Sequence, residues 1–422
     1  MVHVTQDASF PLPDRIAALA ITAYTATCAA GRGSDAIMAA LTSRRSGLVE
    51  NDFTSQPLPC WIGRVDGLET LEFPPGFARF DARNQRLAWL GLNHDGFFDR
   101  AIDARARHGA ERVAIVLGTS TSSIGETERA YRELDGDGRF NATQRAKSVH
   151  QPHSLSAFVQ DVLGLRGPCL TVATACSSSA KVFASAERLL HLGFADAVIV
   201  GGVDTLCDSV LFGFNSLGLV SPEPCRPFDK DRSGLSIGEA AGFALLERVA
   251  QNANANDAAS RLRLIGHGES SDAHHMSAPH PHGLGAERAI DDALARAGIG
   301  ADAVDYINLH GTASRQNDEV EAAVIARRFP ARTRASSTKG WSGHTLGAAG
   351  ILEAAITLGA LERGLIPGCL NTRELDPVCG PQITLENEVF AAATTQRRIA
   401  LSNSFGFGGN NCCLAFAREA DT

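Results

Sequence analysis

The sequence predicts an α/β protein in which parallel strands alternate with covering helices. Three short apolar runs, each ending in a small-residue turn, carry that expectation. Arg112-Val113-Ala114-Ile115-Val116-Leu117 leads into Gly118-Thr119-Ser120-Thr121-Ser122-Ser123. Ala195-Asp196-Ala197-Val198-Ile199-Val200 leads into Gly201-Gly202-Val203-Asp204, and residues 304–309 lead into a loop at His310. Short apolar runs bounded by turn signals read as buried strands, and Ala-rich segments between them read as helices.

In chain order, residues 21–33 fit a strand, a turn and a helix start. The run Cys169-Leu170-Thr171-Val172-Ala173 reads as a buried strand, and residues 180–192 are Ala/Leu-rich with helical spacing. Cys176 stands between them, where helix N–H groups and the helix dipole favour a thiolate, and Ser177 to Ser179 can cap the helix start. Cysteine is also among the most buried residue types, so this position alone reads as structural. The polar stretch QNANANDAAS (251–260) breaks the pattern and marks a junction, giving halves of 1–255 and 256–422. A His-rich run follows from His274 to His282; its interleaved Pro and Gly, with no cysteine nearby, favour an exposed loop over a metal site.

Three further segments bear chemistry. Residues 305–314 form a strand-like run ending in His310. Residues 337–350 place Lys339 and His344 in a Gly/Ser-rich loop that opens an Ala/Leu-rich helix, and residues 402–411 are Gly-rich. One cysteine, two histidines and a lysine, all in small-residue turns at apolar strand ends, make a plausible acyl-transfer site.

Composition bounds the alternatives. With 422 residues, 44% hydrophobic and 20% charged, the chain is of ordinary globular type and able to bury a large core. Ten cysteines without a CxxC pair, and no signal-peptide pattern, suggest a reduced, cytoplasmic protein. Cys412 and Cys413 read as adjacent strand residues, with a vicinal disulfide as the lesser reading. No apolar run reaches about 18 residues, which argues against a spanning helix. A net charge of −8 argues against general nucleic-acid binding, and docking of an acidic partner would need a local basic patch.

The segments TACSSSA at Cys176, HGTAS at His310 with Asn317-Asp318 following, STKGWSGHTLGAAG and SNSFGFGGN resemble, in this order, the signatures of β-ketoacyl-acyl-carrier-protein synthases. CRPFDKDR at Cys225 and GEAAG at Gly238 also match, so the resemblance covers residues 16–416. It points to the elongating Cys-His-His branch of the thiolase-like condensing enzymes. The implied fold is two βαβαβαββ halves packed as an αβαβα five-layer sandwich; no internal sequence repeat is visible. The implied reaction is decarboxylative Claisen condensation of an acyl chain held on Cys176 with malonyl carrier protein, giving a 3-oxoacyl product.

The resemblance also assigns roles. His310 and His344 would hold the enolate oxygen through Nε, and the N–H groups of Cys176 and Phe405 would hold the condensation oxyanion. Lys339 and Glu321 match a family pair that orients His344 and the site. Thr312 and Ser314 fall where hydroxyls meet the pantetheine arm, although HGTAS departs from the usual HGTGT or HGTST. Phe405 matches the gating phenylalanine. Thr121 lies near a position that shapes the acyl pocket across a dimer interface, and Arg83 and Arg86 lie near a carrier-protein docking patch. No resident cofactor or metal is implied, since substrates arrive on the 4'-phosphopantetheine of acyl- and malonyl-loaded acyl carrier protein.

A homodimer is expected, with a heterodimer including a related synthase-like subunit as the other arrangement. The opening at residues 21–33, residues 83–86 and the Asn410-Asn411-Cys412-Cys413 ending depart from housekeeping synthases and look similar to those of aryl-polyene-type clusters. A chain-length-factor-like partner without activity is the alternative. The intact set of Cys176, His310, Lys339 and His344 disfavours it, and His344 disfavours the initiating Cys-His-Asn synthases.

Overall fold

A computed structural model gives the structure of residues 15–249, 261–391 and 396–420. The N-terminal half supplies β1 (Leu19–Cys28), β2 (Val113–Gly118), β3 (Cys169–Val172), β4 (Ala197–Asp204) and β5 (Ala240–Arg248). The C-terminal half supplies β6 (Leu262–Ser271), β7 (Tyr306–Asn308), β8 (Arg334–Ser336), β9 (Arg398–Gly406) and β10 (Asn410–Arg418). The principal helices are α1 (Arg83–Leu92), α2 (Phe97–His108), α3 (Ser154–Leu163), α4 (Ser178–His191), α5 (Leu284–Ala297), α6 (Arg315–Arg328) and α7 (Ala349–Arg363).

The strands pair in the order β3-β2-β4-β5-β1 in one half and β8-β7-β9-β10-β6 in the other. In each half the three strands nearest the outer edge are parallel and the last two join antiparallel. The two sets meet where Leu19 and Ala20 of β1 pair with Leu264 and Arg263 of β6. Each half therefore follows βαβαβαββ, a duplication that no sequence repeat betrays. The expected division at 255/256 lies outside the described residues.

Patterning explains the layers. β4 is buried at every residue, as a parallel strand covered on both faces must be. α7 is buried all round from Ala349 to Leu361, the signature of a central helix. It packs with α4 between the two sheets, in a core holding Val182, Phe183, Ile351 and Leu358 with Val198 and Phe416. On the far side of the first sheet, Leu87, Ala101 and Phe158 of α1–α3 cover Ile115 and Ile199. On the far side of the second, Ile290 and Val324 of α5 and α6 cover Ile307 and Leu401. The result is the αβαβα five-layer sandwich of the thiolase-like fold. Period-two alternation puts Cys412 in the central core and Cys413 in the outer one; both are free, on opposite faces of β10.

Candidate active site

Cys176 sits in the turn between β3 and α4. Ala175 adopts φ 52°, a left-handed step costing about 1–2 kcal/mol for a residue with a Cβ. Serines hold that turn: Ser178 Oγ accepts from Thr174 N (2.9 Å) and donates to Ala175 O (2.6 Å), while Ser177 Oγ donates to Thr174 O (2.9 Å). Ser177 to Ser179 were expected to cap α4; no side chain caps it, Ser177 and Ser178 tie the turn instead, and Ser179 Oγ accepts from Ile351 N of α7 (2.9 Å). Burial pushes the Cys176 thiol up to about 11, opposed by the Lys339 charge and by an N–H donated from Phe407. The first turn of α4 adds a further pull toward thiolate.

The C-terminal half brings the other groups. His310 follows β7 in a turn pinned by Glu321 of α6, whose carboxylate accepts from His310 N (2.9 Å), Gly311 N (2.8 Å) and Asn403 Nδ2 (3.2 Å). Burial lifts Glu321 to about 7 against those donors. Lys339 Nζ donates to His310 O (2.5 Å) and forms its ion pair with Glu353 of α7. The expected Lys339–Glu321 pair is thus corrected: backbone N–H groups already claim Glu321, and the buried ammonium takes the acid one loop further on. The carbonyl Lys339 holds is that of His310, so its direct hold is not on His344.

His344 Nε2 lies 2.9 Å from Cys176 Sγ, and the His310 and His344 rings stand 5.3 Å apart and nearly perpendicular. Burial first, then the Lys339 charge, hold both imidazoles well below their usual range, so both are neutral at pH 7. Cys176, His310 and His344 bring one ligand-type atom each within 4.8 Å of one another. The helices beneath them meet closely: a Cβ on Gly350 would lie 2.4 Å from Ala180 N, so only glycine lets α7 start against α4.

A cavity of about 470 Å³ opens over the trio, lined by Thr312, Ser314, Phe405, Phe407, Phe214 and Leu235 among others. Thr312 and Ser314 hydroxyls lie 3.0 Å apart in its wall. The Phe405 ring packs 6.0 Å from His310, whereas the N–H that meets Cys176 Sγ belongs to Phe407, which stacks on Phe214 at 5.6 Å. The backbone N–H expected beside the sulfur at Phe405 is thus that of Phe407, two residues later.

Thr121 lies outside the lining of this cavity, and its Oγ1 donates to Asp204 (2.9 Å). Arg83 is bound to Glu239 (2.9 and 2.5 Å) and Glu69 (2.5 Å), and Arg86 to Asp81 (2.5 and 2.9 Å) and the carbonyls of Leu68, Glu69 and Leu71. Both guanidiniums, partly exposed, are held by ion pairs within the chain, Arg83 because the fully buried Glu239 needs a counter-charge.

Sequence reasoning missed three residues besides. Glu353 could have been flagged as the single charged residue in the apolar run 349–361 of α7. Asp204 closes an apolar strand, and its buried carboxylate accepts from Thr119 Oγ1, Ser120 N and Oγ, Thr121 N and Oγ1, and Gly347 N (2.7 Å). It thereby ties the turn after β2 to the loop that carries His344. Phe407 gave no signal to separate it from Phe405.

Fold and trio together define a thiolase-like condensing enzyme. The chain belongs to the β-ketoacyl synthase family: the N-terminal domain of that family matches residues 17–252 and the C-terminal domain residues 262–373. It is an acyltransferase that condenses acyl chains to 3-oxoacyl products. Nodulation protein E of Rhizobium meliloti (strain 1021) is 37% identical over 317 residues, covering 73% of this chain and 76% of that protein. The 3-oxoacyl-[acyl-carrier-protein] synthase 2 of the same organism is 40% identical over 265 residues, 60% of this chain and 62% of that one. A ketosynthase, ApeO, solved in complex with its chain length factor ApeC from Xenorhabdus doucetiae, superposes with a TM-score of 0.84 at 37% identity, covering 95% of this chain and 98% of that one. Among the described residues no helix is long and apolar enough to cross a membrane.

Proposed function

We propose that Cys176 accepts the growing acyl chain from acyl carrier protein and that His310 and His344 carry the decarboxylation of malonyl carrier protein. The observation that carries this reading is the 2.9 Å approach of His344 Nε2 to Cys176 Sγ, with His310 beside it. The sulfur attacks the thioester carbonyl, the oxyanion is held by the N–H groups of Cys176 and Phe407, and the pantetheine thiol leaves with a proton. Malonyl thioester then loses carbon dioxide. Its enolate oxygen lies against Nε–H donors of two neutral imidazoles, which donate without first gaining a proton. The enolate carbon attacks the acyl carbonyl and expels the Cys176 thiolate.

Lys339 fixes the His310 turn and adds positive potential. Thr312 and Ser314 receive the pantetheine arm, and Phe405 and Phe407 gate the acyl path. Substrates ride on carrier protein, so no resident cofactor is called for. The two halves divide at 255/256, and ten free cysteines support a reduced, cytoplasmic setting.

We further infer a partner subunit of related fold, a chain-length-factor-like one, docking at the edge strand β3, where Leu170 is exposed. The likeness to ApeO, seen with its chain length factor, supports this over a homodimer. The departures at residues 21–33 and 410–413 support an aryl- or polyenoyl-type substrate.

Intact-mass analysis after incubation with a panel of acyl carrier proteins tests the reading. An acyl adduct that disappears in Cys176→Ala is expected, and its mass identifies the chain. No adduct from any carrier would sink the catalytic reading in favour of the inactive-partner alternative. Equal extension of saturated and aryl chains would remove the aryl-polyene assignment.

A further inference from the structure

Arg232 closes the CRPFDKDR segment, which takes no part in the condensation proposed above. It stands behind the wall of the catalytic cavity and does not line it, although the next three residues, Ser233 to Leu235, do. Its side chain is 3% exposed, and its guanidinium is spent on neighbours. Nε donates to Ser314 O (3.4 Å) and Nη2 to Arg315 O (3.0 Å). Nη1 donates to Asp376 Oδ2 (2.6 Å) and to Asp229 O (2.9 Å). One edge of the fork thus grips two successive carbonyls of the turn after His310, while Nη1 anchors the fork to the loop that carries Asp376.

Helix stability does not account for this placement. Ser314 caps the start of α6 and Arg315 opens it, and a cation at a helix N-terminus opposes the dipole. Asp318, whose Oδ2 lies 3.8 Å from Arg232 Nε, offsets that opposition. The turn itself needs a hold. Ala313 is buried at φ 67°, a left-handed conformation that a Cβ disfavours and that glycine keeps unaided. Such a residue persists only where its surroundings impose the conformation. Ala313 N donates to Asp318 Oδ1 (3.2 Å), and Arg232 holds the two carbonyls that follow. Thr312 and Ser314 flank Ala313 and line the cavity, with their hydroxyls 3.0 Å apart.

We propose that Arg232 is a positioning residue for the pantetheine arm: it holds Ala313 in its left-handed turn, so that the Thr312 and Ser314 hydroxyls stand together in the cavity wall. The planar fork is what the task requires, since a lysine brings one point charge and cannot grip both carbonyls. The assignment rests on the function proposed above for these two hydroxyls.

The test compares two acyl donors for Cys176, acyl carrier protein and a small alkyl thioester that lacks the arm, in the wild type and in Arg232→Lys. The expected result is a KM for acyl carrier protein raised roughly tenfold with little change in maximal rate, as loss of uniform binding gives, and unchanged transfer from the small thioester. Equal losses with both donors would reduce Arg232 to a structural role, and an unchanged KM would also overturn the assignment. Ala313→Gly removes the need for the hold, so Arg232→Lys/Ala313→Gly should recover most of the lost KM; no recovery would overturn the hold on the turn. Should Arg232→Lys fail to fold, Asp376→Asn loosens the fork from its partly exposed side. It should show the same split at smaller size, and an unchanged KM there would overturn the proposal. The Thr312→Val/Ser314→Ala variant separates the two readings. An unchanged KM in it would fail the proposed role of the hydroxyls, whereas a raised KM in it beside an unchanged one in Arg232→Lys would fail this inference alone.

Discussion

The two halves of this molecule run the same path with the same strand pairing, yet they bring different chemistry to one point. In the N-terminal half the turn after β2 spends its hydroxyls and N–H groups on Asp204, and the turn after β3 presents Cys176 at the start of α4. In the C-terminal half the corresponding turns present His310 after β7, and Lys339 and His344 ahead of α7. The shared scaffold aims both sets of strand ends and the starts of both central helices at the same place. What differs is only which side chains the turns carry, so neither half by itself contains a site. The lesson is a division of labour: one half supplies the nucleophile, the other the donors and the fixed charge.

The sharpest way to break this comparison is to remove the fixed charge. Lys339→Ala leaves Glu353 buried without its partner and should cost about 3–5 kcal/mol of stability in chemical denaturation. A Lys339→Met/Glu353→Leu double variant should recover much of that while remaining impaired in catalysis. If the single variant is as stable as wild type, the C-terminal half does not depend on the pair. Next in size is the loss of a donor: His310→Ala should lower condensation by roughly 10²–10³-fold, as removal of one oxyanion donor does. Transfer of the first acyl group to Cys176 should fall much less, a split visible in single-turnover measurements. Equal losses in both steps would mean that His310 serves the nucleophile as well.

A pH series sharpens the same contrast. Both histidines have folded pKa values below the unfolded value of about 6.5, so the unfolded chain binds more protons below that pH. Their contribution is complete above about 6.5 and is lost as pH falls, by about 1.4 kcal/mol per pH unit for each histidine. Glu321 and Glu353, lifted to about 7, act in the opposite sense over pH 4.5–7 and are common to both proteins compared. The His310→Asn/His344→Asn variant should therefore gain stability relative to wild type between pH 6.5 and 5; a difference independent of pH would mean the rings are not held neutral. The smallest expected effect lies in the N-terminal half. Arg86→Lys, which loses the fork on Asp81, should cost about 1 kcal/mol while leaving the KM for carrier protein unchanged. A raised KM with unchanged stability would place Arg86 in the docking surface.

Much of the site was legible because its residues stand in compact local patterns. Cys176 and His310 each follow an apolar strand in a small-residue turn, and His344 lies in a Gly/Ser-rich loop ahead of an apolar helix; such turns are local consequences of sequence. Pairings that span loops were not legible. Nothing in the order of residues says that Lys339 reaches Glu353 across the intervening loop while Glu321 is taken by backbone N–H groups. Nor does it say that the sulfur meets the N–H of Phe407 and not that of Phe405, since the two share one glycine-rich segment. Nor does it say that Arg83 is claimed by a buried acid at residue 239.

By itself the sequence determined the α/β class, the positions of the strand-ending turns and the residues that can do acyl chemistry, because each depends on patterns only a few residues long. Tertiary structure decided the rest: the duplication of the halves, the meeting of α4 and α7, the counter-charge of Lys339 and the protonation of the histidines. Those depend on burial and on approach between segments from 14 to more than a hundred residues apart, and desolvation is a property of the folded neighbourhood that no local pattern encodes.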